Sequence, residues 1–477
     1  MKKSLLLIIA LLYLVQLKAQ DIAGSWQGLI NAGGADLHLV FNIKKASDTG
    51  YTATFDSPDQ KAFGIACSKV YTSKDSVFIE LAIINGGYKA AWDGKDNFNG
   101  VYSQGGAHIP LAMKRIAETG KTEPPKDQVR PQTPKAPYGY FSEDVEYDNA
   151  DKNLHYGATF TRPNGNGKYP AVIIITGSGI QDRDGTLFGH KLYWVLADYL
   201  TKNGIAVLRV DDRGAGKSSE GKNVATSYDF SYDVESSLNY LETRPDINNK
   251  HIGLIGHSEG GIIAPMVAAR RKDISFIVLW GAPAIGGARI QTEQITDAYK
   301  SQGIDTTALD AFKNLNLNIL EQFNSSANTD TLDHHIVTIF NQWKSDQNQK
   351  VLSALWPNGI IQPDALFGNY NRLYTSAWWR FFISYDPAKD LSKVKCPVLA
   401  INGSKDVQVR AQPNLTRIKK ILTQNGDKDV EIKELTGLNH LLQTATTGDV
   451  SEYQKISETM SPEALNIICS WIKIHTK

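Results

Sequence analysis

Five consecutive residues, Gly256-His257-Ser258-Glu259-Gly260, hold a serine between two glycines directly after an apolar run at 252–255. A serine on a tight strand-to-helix turn can attack an acyl carbonyl, because small neighbours let the turn close and leave the hydroxyl exposed. The pattern alone is weak, since a chain of this length matches it by chance roughly 0.2 times at ordinary Gly and Ser frequencies. A serine near its free pKa is also a poor nucleophile and needs a base, which in turn needs an orienting acid. Two residues answer that need in chain order: Asp406, just past the apolar run 397–403, and His440, in the turn after 430–435. The tetrahedral intermediate calls for two backbone donors. The NH of Glu259, next to the serine, is one. The loop Thr176-Gly177-Ser178-Gly179 supplies the other, with Ser178 the expected donor and Gly179 allowing close approach by substrate.

Other chemistries compete and lose on spacing. Residues 211–219, DDRGAGKSS, contain Gly216-Lys217-Ser218, but a phosphate loop needs a glycine where Asp211 stands, so a structural turn is expected. His257 is one position from the serine and poorly placed to take its proton. His334 and His335 lack a third ligand at metal spacing, so no metal is expected. His190 stands in the segment after the TGSG loop as a candidate substrate contact. Trp378 and Trp379, in SAWWRFFISYDP, are candidate pocket walls alongside Phe381 and Phe382, with core packing the competing role.

Chemistry of this kind needs a rigid frame. Apolar runs at 170–176, 204–210, 251–256, 276–281, 397–403 and 430–435 alternate with helical stretches. Short apolar strands separated by helices read as a parallel sheet covered on both faces, with ligands at the carboxyl ends of its strands. About a hundred residues, 284–385, carry helical patterning and no strand, so a helical cap is expected there. Ahead of this α/β unit, residues 20–116 alternate apolar with polar positions between Gly, Asn and Asp turns, giving an all-β barrel or sandwich. Trp26, Tyr88, Trp92 and Tyr102 fit its core, or a sugar-binding face. Residues 117–137 hold five prolines and form a semi-extended linker.

The composition narrows the remaining classes. With 477 residues, 42% hydrophobic and 21% charged, the chain has material for more than one core. A net charge of +1 leaves no field for nucleic acid or anionic lipid. Residues 1–19 pair Lys2 and Lys3 with an apolar stretch and a small residue at Ala19, the pattern of a cleaved export signal; no stable membrane span and a periplasmic or extracellular location are expected. Three cysteines, Cys67, Cys396 and Cys469, are widely spaced and odd in number, which favours buried free thiols.

Taken together, TGSGIQDRDG, GIAVLRVDDRGAGKSS, GHSEGG, DPAKDLSKVKCPVLAINGSKDVQV and LTGLNH resemble the α/β-hydrolase superfamily over residues 138–477. Within it they resemble the secreted bacterial carboxylesterases allied to the serine aminopeptidase-like and dienelactone-hydrolase-like branches. GSWQG and GVYSQGG resemble the ends of lipocalin-like β modules. The resemblance implies Ser258 as nucleophile, Asp406 as acid, His440 as base and an oxyanion hole near Ser178 and Glu259. Many relatives carry His-Gly where this chain has Thr176-Gly177. The expected activity is cofactor-free hydrolysis of a small acyl ester, with acylated carbohydrate one candidate substrate. Two alternatives stay open. One is an exopeptidase whose substrate amine meets Asp182, Asp184 or Glu259, although acidic residues near Arg183 also suit structural ion pairs. The other is a binding protein on a hydrolase scaffold.

Overall fold

In the strand Tyr169–Ile175, Ala171, Ile173 and Ile175 join one apolar cluster and Val172 and Ile174 another, so both faces of this strand are covered. That is why the run is continuously apolar rather than alternating. The computed structural model describes residues 21–32, 35–46, 50–58, 62–81, 86–104, 107–116, 130–221, 224–301, 303–356, 359–426 and 429–477. The expected export signal and residues 117–129 of the linker lie outside them. Two compact units divide the chain between Lys126 and Asp127.

The first unit is an antiparallel sheet of nine strands, β1–β9: Gly24–Ala32, Ala35–Lys45, Tyr51–Ser57, Ala62–Ala66, Lys69–Ser73, Ser76–Leu81, Gly86–Trp92, Asn97–Gln104 and Ala107–Ile116. Its order is β4-β3-β2-β1-β9-β8-β7-β6-β5, so the first and last strands pair and the sheet curls into a half-barrel. The period-2 pattern is visible in β6, where Val77, Ile79 and Leu81 are buried and the residues between them are not. Trp26, Tyr88 and Tyr102 lie inside, and Trp26 stacks on Phe98 with 3.6 Å between ring centroids. These three aromatics are core, which leaves no sugar-binding face built on them.

The second unit carries a sheet of eight strands in the order β10-β11-β15-β12-β16-β17-β18-β19. These are Phe141–Asp148, His155–Arg162, Ala206–Val210, Tyr169–Ile175, Ile247–His257, Phe276–Trp280, Val398–Gly403 and Val430–Leu435; a separate two-stranded hairpin pairs β13, Thr186–Leu187, with β14, His190–Lys191. The strands from β15 to β19 run parallel, while β10 and β11 are antiparallel additions. The sheet is therefore mixed rather than wholly parallel. Helices Leu192–Lys202 and Pro462–Ile474 cover one face. Helices Ser227–Glu242, Gly260–Arg270 and Ala411–Gln424 cover the other.

Between β17 and β18 the described residues build helices and no strand, from Gly287–Ser301 to Ala377–Ser384, before a short turn of helix at Ala388–Leu391 leads back to the sheet. They enclose their own core of Leu315, Ile319, Ile336, Phe340, Tyr370 and Leu373. Side-chain caps mark their starts: Asp305 accepts from Ala308 N, Asn328 from Thr331 N and Ser376 from Trp379 N.

Part of the expected linker belongs to the second unit. Arg130 is buried and donates to the carbonyls of Phe188, Gln454 and Ile456, and Gln132 binds the backbone of Thr459 and Met460. Cys469 is buried, whereas Cys67 and Cys396 are half-buried; none of the three forms a disulfide. Among the described residues, no helix is long and apolar enough to cross a membrane.

Candidate active site

The sheet changes direction at β12, which has β15 on one side and β16 on the other. Ligand crevices in α/β sheets open at such a point, beyond the carboxyl ends of the strands. Here the loop after β12 meets the turn after β16. Ser258 sits on that turn with φ 53°, a left-handed conformation rare for a residue other than glycine, and its NH is held by Trp280 O at 2.8 Å. The turn closes only because its glycines lack side chains: a Cβ on Gly256 would stand 2.1 Å from Gly260 O. In the first turn of Gly260–Arg270 the first NH to find a partner is that of Gly261, bonded to Ser258 O, so the NH groups of Glu259 and Gly260 precede the helix ladder. Such NH groups favour negative charge.

The loop after β12 lies directly against the serine. A Cβ on Gly177 would stand 3.2 Å from Ser258 Cβ. Two side chains hold this loop. Tyr193 Oη accepts from Gly177 N at 3.1 Å, donates to Gln181 Oε1 at 3.1 Å and lies 3.0 Å from His257 Nδ1. Asp212 accepts from Thr176 Oγ1 at 2.6 Å and from Gln181 N at 2.8 Å, fastening both ends of the loop. Burial, with the charge of Glu259 adding to it, pushes the Asp212 carboxyl up to about 8. Gly179, with φ 93°, and Ser178 are exposed in the loop's middle.

Asp406 and His440 come together beyond β18 and β19. His440 Nδ1 lies 2.7 Å from Asp406 Oδ2, and both side chains are almost fully buried. The other oxygen, Oδ1, accepts from the NH groups of Gln408 and Val409 at 2.9 and 2.8 Å. A carboxylate only accepts, so Nδ1 carries the proton and Nε2 is the free lone pair. Trp280 Nε1 donates to His440 O at 3.0 Å, which ties the histidine loop to the strand beside the elbow. Gly281 leaves the room: a Cβ there would stand 2.9 Å from His440 Cε1. In this conformation Ser258 Oγ has no hydrogen bond among the described residues, and apo sites of this kind commonly have loose nucleophile–base contacts.

The remaining expected site residues separate. His190 is fully buried on β14, with Nδ1 2.8 Å from Thr459 Oγ1 and Nε2 3.0 Å from Tyr453 O; burial pushes it down to about 4. It touches no solvent and is corrected from substrate contact to a support of the C-terminal loops. The β13–β14 hairpin turns its ring inward, where Gln443 links it to Asn439, the neighbour of His440. Trp378 and Trp379 are half-buried in the last cap helix, beside Ile262 and Met266 of the helix that follows the serine. Residues 211–219 are a structural turn: Asp211 binds Arg183 and the NH of Lys217, and Ser218 binds the backbone of Asp211 and Gly157. Among the described residues no cluster of His, Cys, Asp and Glu has metal-binding geometry.

Tyr193, Asp212 and Ser227 are not legible as site residues in the sequence. Tyr193 reads as one apolar helix position among several. Asp212 sits in DDRG, a segment whose failure as a phosphate loop leaves its second aspartate without a role. Ser227, which donates to Glu259, looks like a helix start.

A strand order that reverses beside a serine elbow, with an Asp–His pair after the last two strands, is the arrangement of the α/β-hydrolase fold, and this chain has that fold. Residues 190–329 match the family described as serine aminopeptidase, S33, a segment that holds Ser258 and ends before Asp406. Esterase EstD of Thermotoga maritima is 28% identical over 135 residues, covering 28% of this chain and 32% of the esterase, so the match spans about a third of that relative. An uncharacterized 31.7 kDa protein from the traX-finO intergenic region of Escherichia coli is 26% identical over 52% of this chain and 76% of its own. An esterase of Pyrococcus furiosus aligns with 71% of this chain and 93% of its own at 15% identity and a TM-score of 0.42.

Proposed function

We propose that the protein hydrolyses carboxylic esters of small molecules through an acyl-enzyme on Ser258. His440 Nε2 takes the serine proton as Oγ attacks the acyl carbonyl, and the oxyanion forms against the NH groups of Glu259 and Ser178. Asp406 holds the imidazolium that results. Collapse of the intermediate breaks the acyl–oxygen bond and His440 returns the proton to the departing alcohol. Water then attacks the acyl carbonyl with His440 again as base, releasing the carboxylic acid and restoring Ser258. The observation that carries this reading is the buried 2.7 Å His440–Asp406 pair, in the loops after β18 and β19 of the same sheet whose β16 leads into the positive-φ serine.

The peptidase alternative needs a carboxylate free to meet a substrate amine. The three acids that sequence offered are engaged: Asp182 caps the NH groups of Asp184 and Thr186, Asp184 pairs with Arg209 and Lys191, and Glu259 accepts from Ser227 and Trp378. Ester substrates are therefore favoured. Export, which the residues before the described region suggest, remains part of the proposal.

Fluorophosphonate labelling tests the nucleophile. Wild type takes the label and Ser258→Ala does not; equal labelling of the two removes Ser258 from the role. On the same sample, nitrophenyl esters turn over and aminoacyl anilides stay idle. The opposite ranking favours the peptidase.

A further inference from the structure

Glu259 has a backbone NH beside the nucleophile and a buried side chain. The carboxylate is buried, and its Oε1 accepts from Ser227 Oγ at 2.6 Å and from Trp378 Nε1 at 2.8 Å. Two segments thus converge on one carboxylate: the start of Ser227–Glu242 and the cap helix Ala377–Ser384. A buried carboxylate is costly unless donors surround it, so this convergence is specific rather than incidental.

The Trp378 indole is fixed in a second way. It stacks on Phe382, with 5.2 Å between centroids and 9° between planes, and packs edge-on against Trp379 at 4.8 Å. The cluster around it joins Ile262 and Met266 behind the nucleophile, Ile290 of the first cap helix and Val409 of the acid loop. Through Glu259 the indole nitrogen is held within roughly 12 Å of Ser258 Cα, given the 3.8 Å between consecutive Cα atoms, the reach of one glutamate and the hydrogen bond. An apolar surface at that radius is within reach of an acyl chain carried on Ser258.

We infer that Trp378 is a specificity-determining wall that restricts the enzyme to short apolar acyl groups, and that the Glu259 carboxylate is the positioning residue that sets its indole. This rests on the ester-hydrolase reading above. The wall and its peg come from different parts of the chain, 119 positions apart, so the cap reports its position directly to the residue beside the nucleophile.

The test uses the full chain and nitrophenyl acetate, butyrate and octanoate, with kcat/KM measured for each. Wild type prefers acetate to octanoate by at least about tenfold, the scale of discrimination an apolar pocket reaches. Trp378→Ala raises the octanoate-to-acetate ratio by about tenfold, and Glu259→Ala moves the ratio the same way. Glu259→Gln, which keeps an oxygen acceptor for the indole, retains the wild-type ratio. Trp378→Phe, which keeps an aromatic ring and loses the NH, gives an intermediate ratio that Glu259→Ala does not shift further. Near-UV circular dichroism checks that each variant is folded. A flat acyl-length profile in an active wild type overturns the inference alone. So do variants that slow all three esters by one common factor, since Glu259 then only supports the elbow. A wild type that cleaves none of the esters overturns the hydrolase reading and the wall with it.

Discussion

The two sheets bury similar apolar side chains and differ in the polar groups they bury with them. In the described part of the nine-stranded sheet the buried polar residues are Ser25 and Ser57, and the hydroxyls of Tyr88 and Tyr102 are bonded to Leu111 O and Gln104 Oε1. The eight-stranded sheet buries Asp211, His257, Glu259, Asn402, Asp406, Asn439 and His440 at or just beyond its strand ends. Each such group costs on the order of 1–3 kcal/mol unless bonded, so a rim that collects them needs the hydrogen-bond network seen there. Buried polarity concentrated at one rim therefore separates a sheet organised for chemistry from one organised for packing.

The sharpest way to break that comparison is Asp406→Asn. The new amide oxygen can keep the bonds from Gln408 N and Val409 N, but the amide nitrogen then faces His440 Nδ1 and forces the proton to Nε2. With the wrong tautomer, kcat on a nitrophenyl ester falls by about 10⁴-fold while the fold is retained. A variant within tenfold of wild type would remove Asp406 from the mechanism. Trp26→Ala makes the matching change in the other sheet. Its side chain is fully buried, stacked on Phe98 and bonded through Nε1 to Ile22 O at 2.9 Å. Truncation destabilises that unit by about 3–5 kcal/mol, read from denaturant unfolding, and leaves kcat/KM for esters as in wild type. A parallel loss of activity would show that the nine-stranded sheet takes part in catalysis.

Much of this frame is visible in the residues, and the reason differs between elements. Five of the six apolar runs become β12 and β15 to β18 because strands covered on both faces carry no polar alternation to confuse the pattern, whereas the sixth, VEIKEL, becomes the half-exposed edge strand β19 and shows itself by alternation instead. β10 and β11 escape that pattern. β10 reads FSEDVEYD and is half-exposed along its length, so an edge strand bearing Glu143, Asp144, Glu146 and Asp148 has no apolar run to reveal it. Ser258, Asp406 and His440 can be picked out because each follows a strand, and strand ends are where a parallel sheet puts its loops together. His190 also follows a strand-like segment, yet its hairpin turns inward, and only tertiary packing decides that direction. Tyr193 and Asp212 carry no local signal, because their importance lies in what three distant segments bring to one hydroxyl or one carboxylate.

The smallest expected effect comes from Asp212→Asn, and it bears on how the buried rim responds to pH. The ordinary Asp value is 3.8 and the folded value is about 8, raised chiefly by burial. Between those limits the unfolded chain has released its proton and the folded protein still holds it. The contribution of Asp212 is thus fully present below about 4, declines as pH rises toward 8, and is level above that. His190, pushed down to about 4, acts with the opposite sign below its ordinary 6.5, so the informative quantity is the difference between variant and wild type. The amide introduced by Asp212→Asn does not titrate, and it can serve the loop by donating to Thr176 Oγ1 while accepting from Gln181 N. The expected result is a thermal midpoint that varies less steeply between pH 4 and 8 than in wild type, with ester kcat kept within about tenfold because the loop after β12 retains both anchors. Parallel profiles for the two proteins would mean that Asp212 does not titrate in this window. In the nine-stranded sheet, Cys67 is pushed up to about 12 and Tyr88 and Tyr102 are raised above their ordinary value, so none of these groups contributes in that window. An Asp212-dependent slope would therefore assign that part of the protein's pH response to the eight-stranded rim.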